Sequence, residues 1–124
     1  MPKVLVVDDT DSIRLLIRTN LEIADFEVDE AVDGRDALEQ LAVDPLPDAV
    51  TVDMMMPRLD GVATVQAMRA DPRTAGLAII MVSTQNHPAD IQRANDAGVD
   101  GYVVKPFDPD HLIDALNAAI AERA

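Results

Sequence analysis

Five polar side chains in this 124-residue chain each stand at the end of a short apolar stretch. They are Asp8, Asp9, Asp53, Ser83 and Lys105. If the three carboxylates converge, their repulsion must be relieved by protonation, by separation or by a bound cation. Oxygen ligands in a shallow, hydrated site favour Mg²⁺, while an ammonium group and a hydroxyl suit the oxygens of a phosphoryl group. Together these residue types predict metal-assisted phosphoryl chemistry.

Each of these residues, taken alone, has a simpler explanation. The pair Asp8-Asp9 could cap the next helix as readily as bind a cation. Asp53 could be a loop charge, and the Ser83 hydroxyl could be satisfied by the backbone. Lys105 could be a solvated surface lysine. Their joint occurrence at the ends of four apolar stretches is what favours a site.

Five apolar or β-branched stretches alternate with five segments of helical periodicity, which predicts a parallel sheet covered by helices. Right-handed crossovers place the carboxyl ends of all the strands at one edge of such a sheet, where the polar residues would meet. One stretch carries three acids and is predicted to lie at the side of the sheet. The predicted strands are Lys3 to Val7, the acidic Glu27 to Ala31, Ala49 to Val52, Ala78 to Val82 and Gly101 to Val104.

Apolar residues at helical spacing predict which helix faces are buried. The fourth helix has a thin stripe of Ile91 and Ala94, which indicates a weakly held element. Asp33, which precedes Gly34, is predicted to be an ordinary helix cap or turn residue. The stripe of the first helix is predicted to comprise Ile13, Leu16, Ile17, Leu21 and Ala24.

Composition excludes several classes of protein. The net charge of −13 repels nucleic-acid backbones and anionic lipid, so we expect no direct nucleic-acid binding. The chain has no cysteine, which excludes disulfides and thiol catalysis and favours a cytoplasmic protein. No apolar run approaches the length of a membrane span. We expect one domain that covers residues 1–124.

Four segments resemble the receiver domains of two-component response regulators, especially single-domain chemotaxis-type regulators. They occur in the order VLVVDD, TVDMMMPRLDG, IIMVST and GYVVKPF, and the resemblance covers essentially the whole chain. It implies a flavodoxin-like three-layer (βα)5 fold with a five-stranded parallel sheet in the order 2-1-3-4-5. It also implies phosphorelay signalling by a receiver that catalyses its own phosphorylation and dephosphorylation and is not otherwise an enzyme.

The resemblance implies a role for each acidic residue of the site. Asp53 would accept phosphate from a sensor histidine kinase or a histidine phosphotransfer protein and become 4-aspartylphosphate. Asp8, Asp9, Asp53 and the backbone carbonyl of Met55 would bind Mg²⁺, for which Mn²⁺ could substitute. Asp9 would contact the metal directly and Asp8 partly through water.

The resemblance likewise assigns the residues that respond to phosphate. Lys105 would neutralise phosphoryl charge and Ser83 would follow the new phosphoryl oxygen. Tyr102 would be a switch that turns inward with Ser83, although a static core role would satisfy the sequence equally. The output face would comprise the fourth helix, the fifth strand and the fifth helix. The Lys105–Pro106 peptide bond would be cis.

Three residues at the rim of the site depart from the commonest chemotaxis-type pattern. Thr84 is larger than the alanine or glycine often found there and could narrow the approach to Asp53. Met55 and Gln85 occupy the two positions that flank the reactive group. Because the Met55 thioether cannot orient an attacking water, we expect a long-lived acyl phosphate.

Partners and alternatives follow from the same reading. We expect a downstream protein target or a C-terminal output domain on the output face, no membrane contact, and a monomer or weak phosphorylation-dependent dimer. A stand-alone receiver is favoured over part of a longer regulator. One alternative is a haloacid-dehalogenase-type phosphatase, because the segment from Asp9 to Ile13 approximates its nucleophile loop. Another is a constitutive binding module that lacks the chemistry.

Overall fold

Strands and helices alternate strictly along the chain. The computed structural model describes residues 1–124. The strands are β1 (Lys3–Val7), β2 (Glu27–Ala31), β3 (Ala49–Val52), β4 (Ala78–Ser83) and β5 (Gly101–Val104). The helices are α1 (Asp11–Ile23), α2 (Gly34–Leu41), α3 (Gly61–Ala70), α4 (Pro88–Ala97) and α5 (Pro109–Arg123).

All five strands are parallel and form one sheet in the order β2-β1-β3-β4-β5, so the predicted fold is confirmed. The acidic strand β2 lies at one side of the sheet, as its charges required. Glu27 and Asp29 are exposed there. Charged side chains on such an outer strand discourage pairing with another chain.

The strand register determines which polar residues become neighbours. Val7 on β1 pairs with Val52 on β3, so the residues that follow them, Asp8 and Asp53, leave adjacent strands side by side. On the other half of the sheet Ser83 pairs with Val104, and Lys105 comes next. Every candidate site residue therefore lies at the carboxyl edge of the sheet.

Two apolar cores lie on opposite faces of the sheet. Alternate residues of β1 illustrate the division, because Leu5 and Val7 face one core and Val4 and Val6 face the other. The first core also contains buried residues of α2, α3 and α4, and the second contains those of α1 and α5. The molecule is thus a three-layer α/β/α structure.

Two expectations about local structure were wrong. Strand β4 extends to Ser83, so this residue is the last of the strand and does not follow it. Leu16, predicted to be in the core stripe of α1, is 49% exposed. A helix that packs on a sheet buries a stripe about 100° wide, and Ile17 and Leu21 on α1 already occupy it.

Side-chain caps fix the starts of four helices. The carboxylates of Asp33, Asp60 and Asp108 accept hydrogen bonds from backbone amides in the first turns of α2, α3 and α5, which bears out the cap predicted for Asp33. At the start of α4 the cap is His87, whose Nδ1 accepts a hydrogen bond from the Ala89 amide at 3.1 Å. His87 therefore has a structural role at the start of α4.

An arginine joins several elements at the end of the sheet away from the site. Arg69, near the end of α3, donates to the carbonyls of Gly98, Ala75 and Leu77. It also pairs with Asp100, which receives Arg123 of α5 as well. The pairing carboxylate is 12% exposed, so this end of the fold is closed by a nearly buried polar network.

No helix of the structure has both the length and the apolar character that crossing a membrane would require.

Candidate functional site

Three carboxylates converge at the carboxyl edge of the sheet. Asp8, Asp9 and Asp53 each place an oxygen within 4.8 Å of the oxygens of the other two. Asp8 and Asp53 are buried, whereas Asp9 is exposed. The cluster is therefore anchored in the protein on one side and open to solvent on the other.

Lys105 is the cation of the cluster. Its Nζ lies 2.8 Å from Asp8 Oδ2 and 3.6 Å from Asp53 Oδ1, and its side chain is mostly buried. The other oxygen of Asp8 accepts a hydrogen bond from the Thr10 amide at 2.9 Å. One ammonium group thus contacts two of the three carboxylates and leaves the negative charge of the cluster incompletely balanced.

This arrangement disfavours the ionised form of Asp53. Burial, together with the charges of Asp8 and Asp9, raises the pKa of Asp53 to about 6. The Lys105 ammonium and the backbone amide of Met55 oppose this rise without cancelling it. The ionised form of Asp53 therefore benefits from any additional positive charge at the site.

A small hydrogen-bond network lies beside the carboxylates on β4 and β5. The buried Ser83 Oγ accepts a hydrogen bond from the Gln85 amide at 3.1 Å. The Tyr102 hydroxyl donates to the Gln85 carbonyl at 2.5 Å, and the ring packs partly buried against the core under α4. Burial is the main cause that raises the pKa of Tyr102. Ser83, Gln85 and Tyr102 are therefore held together by one loop.

The loop after β3 is folded tightly against Asp53. The Gly61 amide donates to the Met54 carbonyl at 2.9 Å. A Cβ atom on Gly61 would lie only 2.2 Å from the Asp53 carbonyl oxygen, so no larger residue fits there. Met54 is buried and Met56 is half-buried, while the Met55 side chain is 61% exposed at the rim of the site.

Two other rim residues and the proline lie on the loops that follow β4 and β5. Thr84 is exposed and Gln85 is half-buried. The peptide bond between Lys105 and Pro106 is cis in the structure. The candidate site residues therefore lie at the carboxyl ends of β4 and β5 and on the loops that follow β1, β3, β4 and β5.

Two features near the site were missed by sequence reasoning. Asp33 accepts hydrogen bonds from the Arg58 guanidinium in addition to capping α2, and no short-range pattern indicates a pair 25 residues apart. Helix α1, which begins two residues after Asp9, also exposes Leu15, Leu16 and Ile23. The sequence of α1 contains more apolar residues than one buried stripe can hold, and this excess could have predicted the exposed apolar side chains.

The donor set is suited to a hard divalent cation. It consists of carboxylate oxygens and contains no thiolate or imidazole. Magnesium and manganese prefer such ligands. The pKa of Asp53 is raised mainly by burial and further by the neighbouring carboxylates, so a bound cation would favour its ionised form. The residues present therefore fit Mg²⁺.

A doubly wound parallel sheet with acids and a lysine at its carboxyl edge defines a class of α/β proteins with a phosphoryl- or nucleotide-type site. The family model described as "Response regulator receiver domain" matches residues 4–117. The chain belongs to the response regulator receiver domain family, and its place is in phosphorelay signalling.

Three similar proteins illustrate the range of this family. The DNA-binding dual master transcriptional regulator RpaA of Synechocystis is 36% identical over 120 residues, which are 97% of this chain and 49% of that protein. Protein PilG of Pseudomonas aeruginosa is 36% identical over 95% of this chain and 87% of its own length. The solved structure of Vibrio cholerae chemotaxis protein CheY4 has a TM-score of 0.89 at 35% identity and covers 96% of this chain and 98% of that one.

The chain spans about half the length of several curated relatives that it matches, RpaA among them. The alternative of a haloacid-dehalogenase-type phosphatase is set aside by the family match over residues 4–117. The geometry agrees, because Asp11 of that candidate loop is exposed and pairs with Arg14 at 2.6 Å.

Proposed function

We propose that Asp53 accepts a phosphoryl group from a phosphohistidine of a sensor histidine kinase or a histidine phosphotransfer protein. The observation that carries this proposal is the carboxylate cluster with Lys105 between Asp8 and Asp53. Two carboxylates of the cluster, Asp8 and Asp53, contact Lys105. Asp53 is the more exposed of these two and is therefore the more accessible to a phosphodonor.

The reaction requires little activation of Asp53. A carboxylate oxygen attacks phosphorus, the new P–O bond forms as the P–N bond to the donor imidazole breaks, and the imidazole nitrogen retains the electron pair. Negative charge spreads over the phosphoryl oxygens as this happens, and the Lys105 ammonium lies where it can stabilise that charge. The residues of the chain thus contribute mainly position and electrostatics.

Asp8, Asp9, Asp53 and the Met55 carbonyl would hold Mg²⁺ or Mn²⁺. The bound cation would supply charge neutralisation for the carboxylates and for the incoming phosphoryl oxygens. Asp9 is the ligand that is accessible to solvent, whereas Asp8 is already fixed by Thr10 and Lys105. This division gives Asp8 the anchoring role and Asp9 the role of capturing the cation.

Phosphorylation is proposed to act on the face formed by α4, β5 and α5. A phosphoryl group on Asp53 offers a strong acceptor to the Ser83 hydroxyl, which now accepts a bond from the Gln85 amide. Because the Tyr102 hydroxyl is bonded to Gln85 as well, movement of that loop changes the environment of the ring. Tyr102 would in this way report the state of the site to a downstream protein or a C-terminal output domain.

The apolar rim of Met55 beside Thr84 and Gln85 is proposed to give the acyl phosphate a long lifetime. The exposed Met55 side chain offers no hydrogen bond to an attacking water. It would also exclude part of the solvent from one side of Asp53.

The exposed side of α1 is proposed to receive the phosphodonor protein. Helix α1 begins two residues after Asp9, and its apolar side chains Leu15, Leu16 and Ile23 are exposed to solvent. Such a surface gains free energy when a partner covers it. We expect the chain to be a monomer or a weak phosphorylation-dependent dimer and to act as a signalling receiver, with no separate substrate of its own.

Phosphorylation by a small donor tests the central proposal. The chain is incubated with acetyl phosphate or phosphoramidate and Mg²⁺, and its intact mass is measured. We expect the mass gain of one phosphoryl group in the natural chain and none in Asp53→Asn. No gain in the natural chain, or an equal gain in Asp53→Asn, would contradict the proposal and favour a binding module without the chemistry.

A further inference from the structure

The loop between β3 and α3 is attached from outside by an ion pair. Both Nε and Nη2 of Arg58 lie 2.7 Å from Asp33 Oδ2. Asp33 is in the turn that precedes α2, so the pair links two loops at the carboxyl edge of the sheet. Only the arginine is exposed, at 58% of its side chain against 7% for the carboxylate. The ion pair is therefore buried at its Asp33 end and exposed to solvent at its Arg58 end.

The Asp33 carboxylate has two separate tasks. Its Oδ1 accepts a hydrogen bond from the Asp36 amide at 2.8 Å and caps α2, while Oδ2 receives Arg58. The first contact fixes the carboxylate to a helix whose buried face packs on the sheet. Arg58 is consequently located relative to a rigid element and not to another mobile loop.

The backbone of Arg58 is held in an unfavourable conformation. Its φ angle is +66°, in the left-handed region that side chains other than glycine rarely adopt. Such a conformation persists only where the surroundings determine it. The Asp33 contact is the interaction of the Arg58 side chain that can do so.

A second contact holds the same loop from the same side. A Cβ atom on Gly34, the first residue of α2, would lie 2.6 Å from the Leu59 carbonyl oxygen and 2.1 Å from Thr64 Oγ1. The start of α2 therefore touches the loop directly at the residue after Arg58. Packing by Gly34 and the ion pair to Asp33 together fix residues 58 and 59.

We infer that Asp33 and Arg58 are positioning residues for the phosphoryl site. Their pair fixes the far side of the loop whose near side carries Asp53 and the Met55 carbonyl. This inference rests on the proposed function, because the quantity that the pair controls is the placement of the proposed metal ligands. Neither residue touches the carboxylate cluster itself.

A positioning role differs from a purely structural one in what its loss would change. Solvent screens a pair whose guanidinium is 58% exposed, so removal of this pair should lower the free energy of unfolding by no more than about 1 kcal/mol. Loss of groups that orient metal ligands typically weakens metal affinity by about 10- to 100-fold. Metal affinity and thermal stability therefore separate the two roles.

Two substitutions remove the pair without creating new strain. Arg58→Gly deletes the guanidinium and leaves a residue that adopts the left-handed backbone readily. Asp33→Ser retains an effective helix cap but is too short to reach Arg58. Mg²⁺ binding to the unphosphorylated chain is measured by titration calorimetry, with thermal unfolding in parallel.

We expect each variant to bind Mg²⁺ about tenfold more weakly, with an unfolding midpoint close to that of the natural chain. The double variant should be no weaker than either single one, because both remove the same contact. Arg58→Lys, which retains the charge, should recover part of the affinity. Mg²⁺ affinity equal to that of the natural chain in Arg58→Gly and Asp33→Ser would overturn the inference.

Arg73→Ala is the matched control. Arg73 pairs with Asp44 at 2.7 Å and so links the far end of α2 to the segment after α3, away from the loop. Its loss should leave Mg²⁺ affinity unchanged, and an equal weakening would overturn the inference. Asp9→Asn separates the two proposals: if the natural chain binds Mg²⁺ no better than Asp9→Asn, the proposed function fails together with the inference.

Discussion

At the scale of single residues, the main energetic feature is the ionised Asp53 side chain. Its carboxylate is buried beside two other acids, and the contact with Lys105 at 3.6 Å is longer than that of Asp8 at 2.8 Å. Charged groups that are arranged to bind a charged ligand commonly lower the stability of the ligand-free protein. Asp53 therefore reduces the stability of the metal-free chain at neutral pH.

Asp53→Asn should stabilise the metal-free protein. The pKa of Asp53 is about 6 in the folded chain and about 3.9 in the unfolded chain. Protonation of Asp53 therefore favours the folded state. This contribution to the free energy of unfolding is fully present below about pH 3.9 and is lost as pH rises through about 6. At pH 7 we expect a gain on the order of 1 to 3 kcal/mol and a rise of several degrees in Tm. Thermal unfolding in the presence of a chelator measures this.

The gain should disappear near pH 4, where the folded natural chain is itself protonated at Asp53. Glu122→Gln provides the control, because it removes one negative charge from an exposed position. A Tm for Asp53→Asn equal to or below that of the natural chain at pH 7 would refute this account.

Met55→Asn should shorten the life of the acyl phosphate. An amide in place of the thioether can hold a water for attack on phosphorus, and one net hydrogen bond of about 0.5 to 1.5 kcal/mol corresponds to a decay about two- to tenfold faster. The measurement follows the loss of the phosphorylated mass after the donor is removed. Met55→Leu should decay like the natural chain, and an unchanged or slower decay in Met55→Asn would be inconsistent with an apolar rim as the cause.

At the scale of secondary-structure elements, α4 is the least firmly attached helix of the output face. It buries only Ala94 and Ala97, and its first turn is capped by an imidazole instead of a carboxylate. Small side chains contribute little burial free energy, so a modest change at either end can shift this helix. The element is suited to respond to the loop that joins Ser83 to Tyr102.

Substitution of His87 should change the stability of α4 in a predictable direction. Asp at this position is a better acceptor and also favours the positive end of the helix dipole, whereas Ala removes the cap. We expect slower amide exchange in α4 for His87→Asp and faster exchange for His87→Ala, with a difference of about 1 to 2 kcal/mol between them. His111→Ala, at an exposed site on α5, should leave this exchange unchanged.

Amide exchange in α4 would not differ between His87→Asp and His87→Ala if the helix were held mainly by its buried face. Equal protection of the α4 amides in His87→Asp and His87→Ala would show that the cap is unimportant.

At the scale of the whole molecule, the two ends of the sheet differ in how their charges are satisfied. The carboxyl end gathers acids around one lysine, while at the other end Arg69 is bonded to three carbonyls and Asp100. Polar groups with complete partners make a rigid structure, and groups with missing partners are poised to bind. The Arg69–Asp100 network therefore makes one end of the sheet a rigid base, and the carboxylate cluster at the other end is free to bind a charged ligand.

Arg69→Met should destabilise the fold without abolishing the chemistry. The substitution leaves three carbonyls without the Arg69 donor and leaves Asp100 with Arg123 as its one remaining cation, which costs about 2 to 4 kcal/mol. Urea unfolding measures the loss, and acetyl phosphate should still label Asp53 under folding conditions. Arg93→Met, which breaks an exposed pair with Asp90, should change stability by less than about 0.5 kcal/mol. Similar losses in both variants would argue against the network as a rigid base.

Much of this architecture followed from short-range patterns. The five strands, the position of β2 at the side of the sheet and the meeting of Asp8 with Asp53 were predictable, because side-chain alternation and right-handed crossovers leave few other arrangements. The strand order itself came from the resemblance to receiver domains, since an alternating pattern is compatible with several orders.

Tertiary structure alone decided how far each predicted element is buried and which distant side chains meet. Leu16 left the core because one helix can bury only a narrow stripe, and the choice among apolar residues depends on the neighbouring helix and sheet. The Asp33–Arg58 pair and the raised pKa of Asp53 likewise depend on contacts between residues far apart in the chain. The sequence determined local conformation and residue chemistry, because these depend on near neighbours. Burial, pairing and electrostatic cost were set by packing, because they depend on every element that surrounds a group.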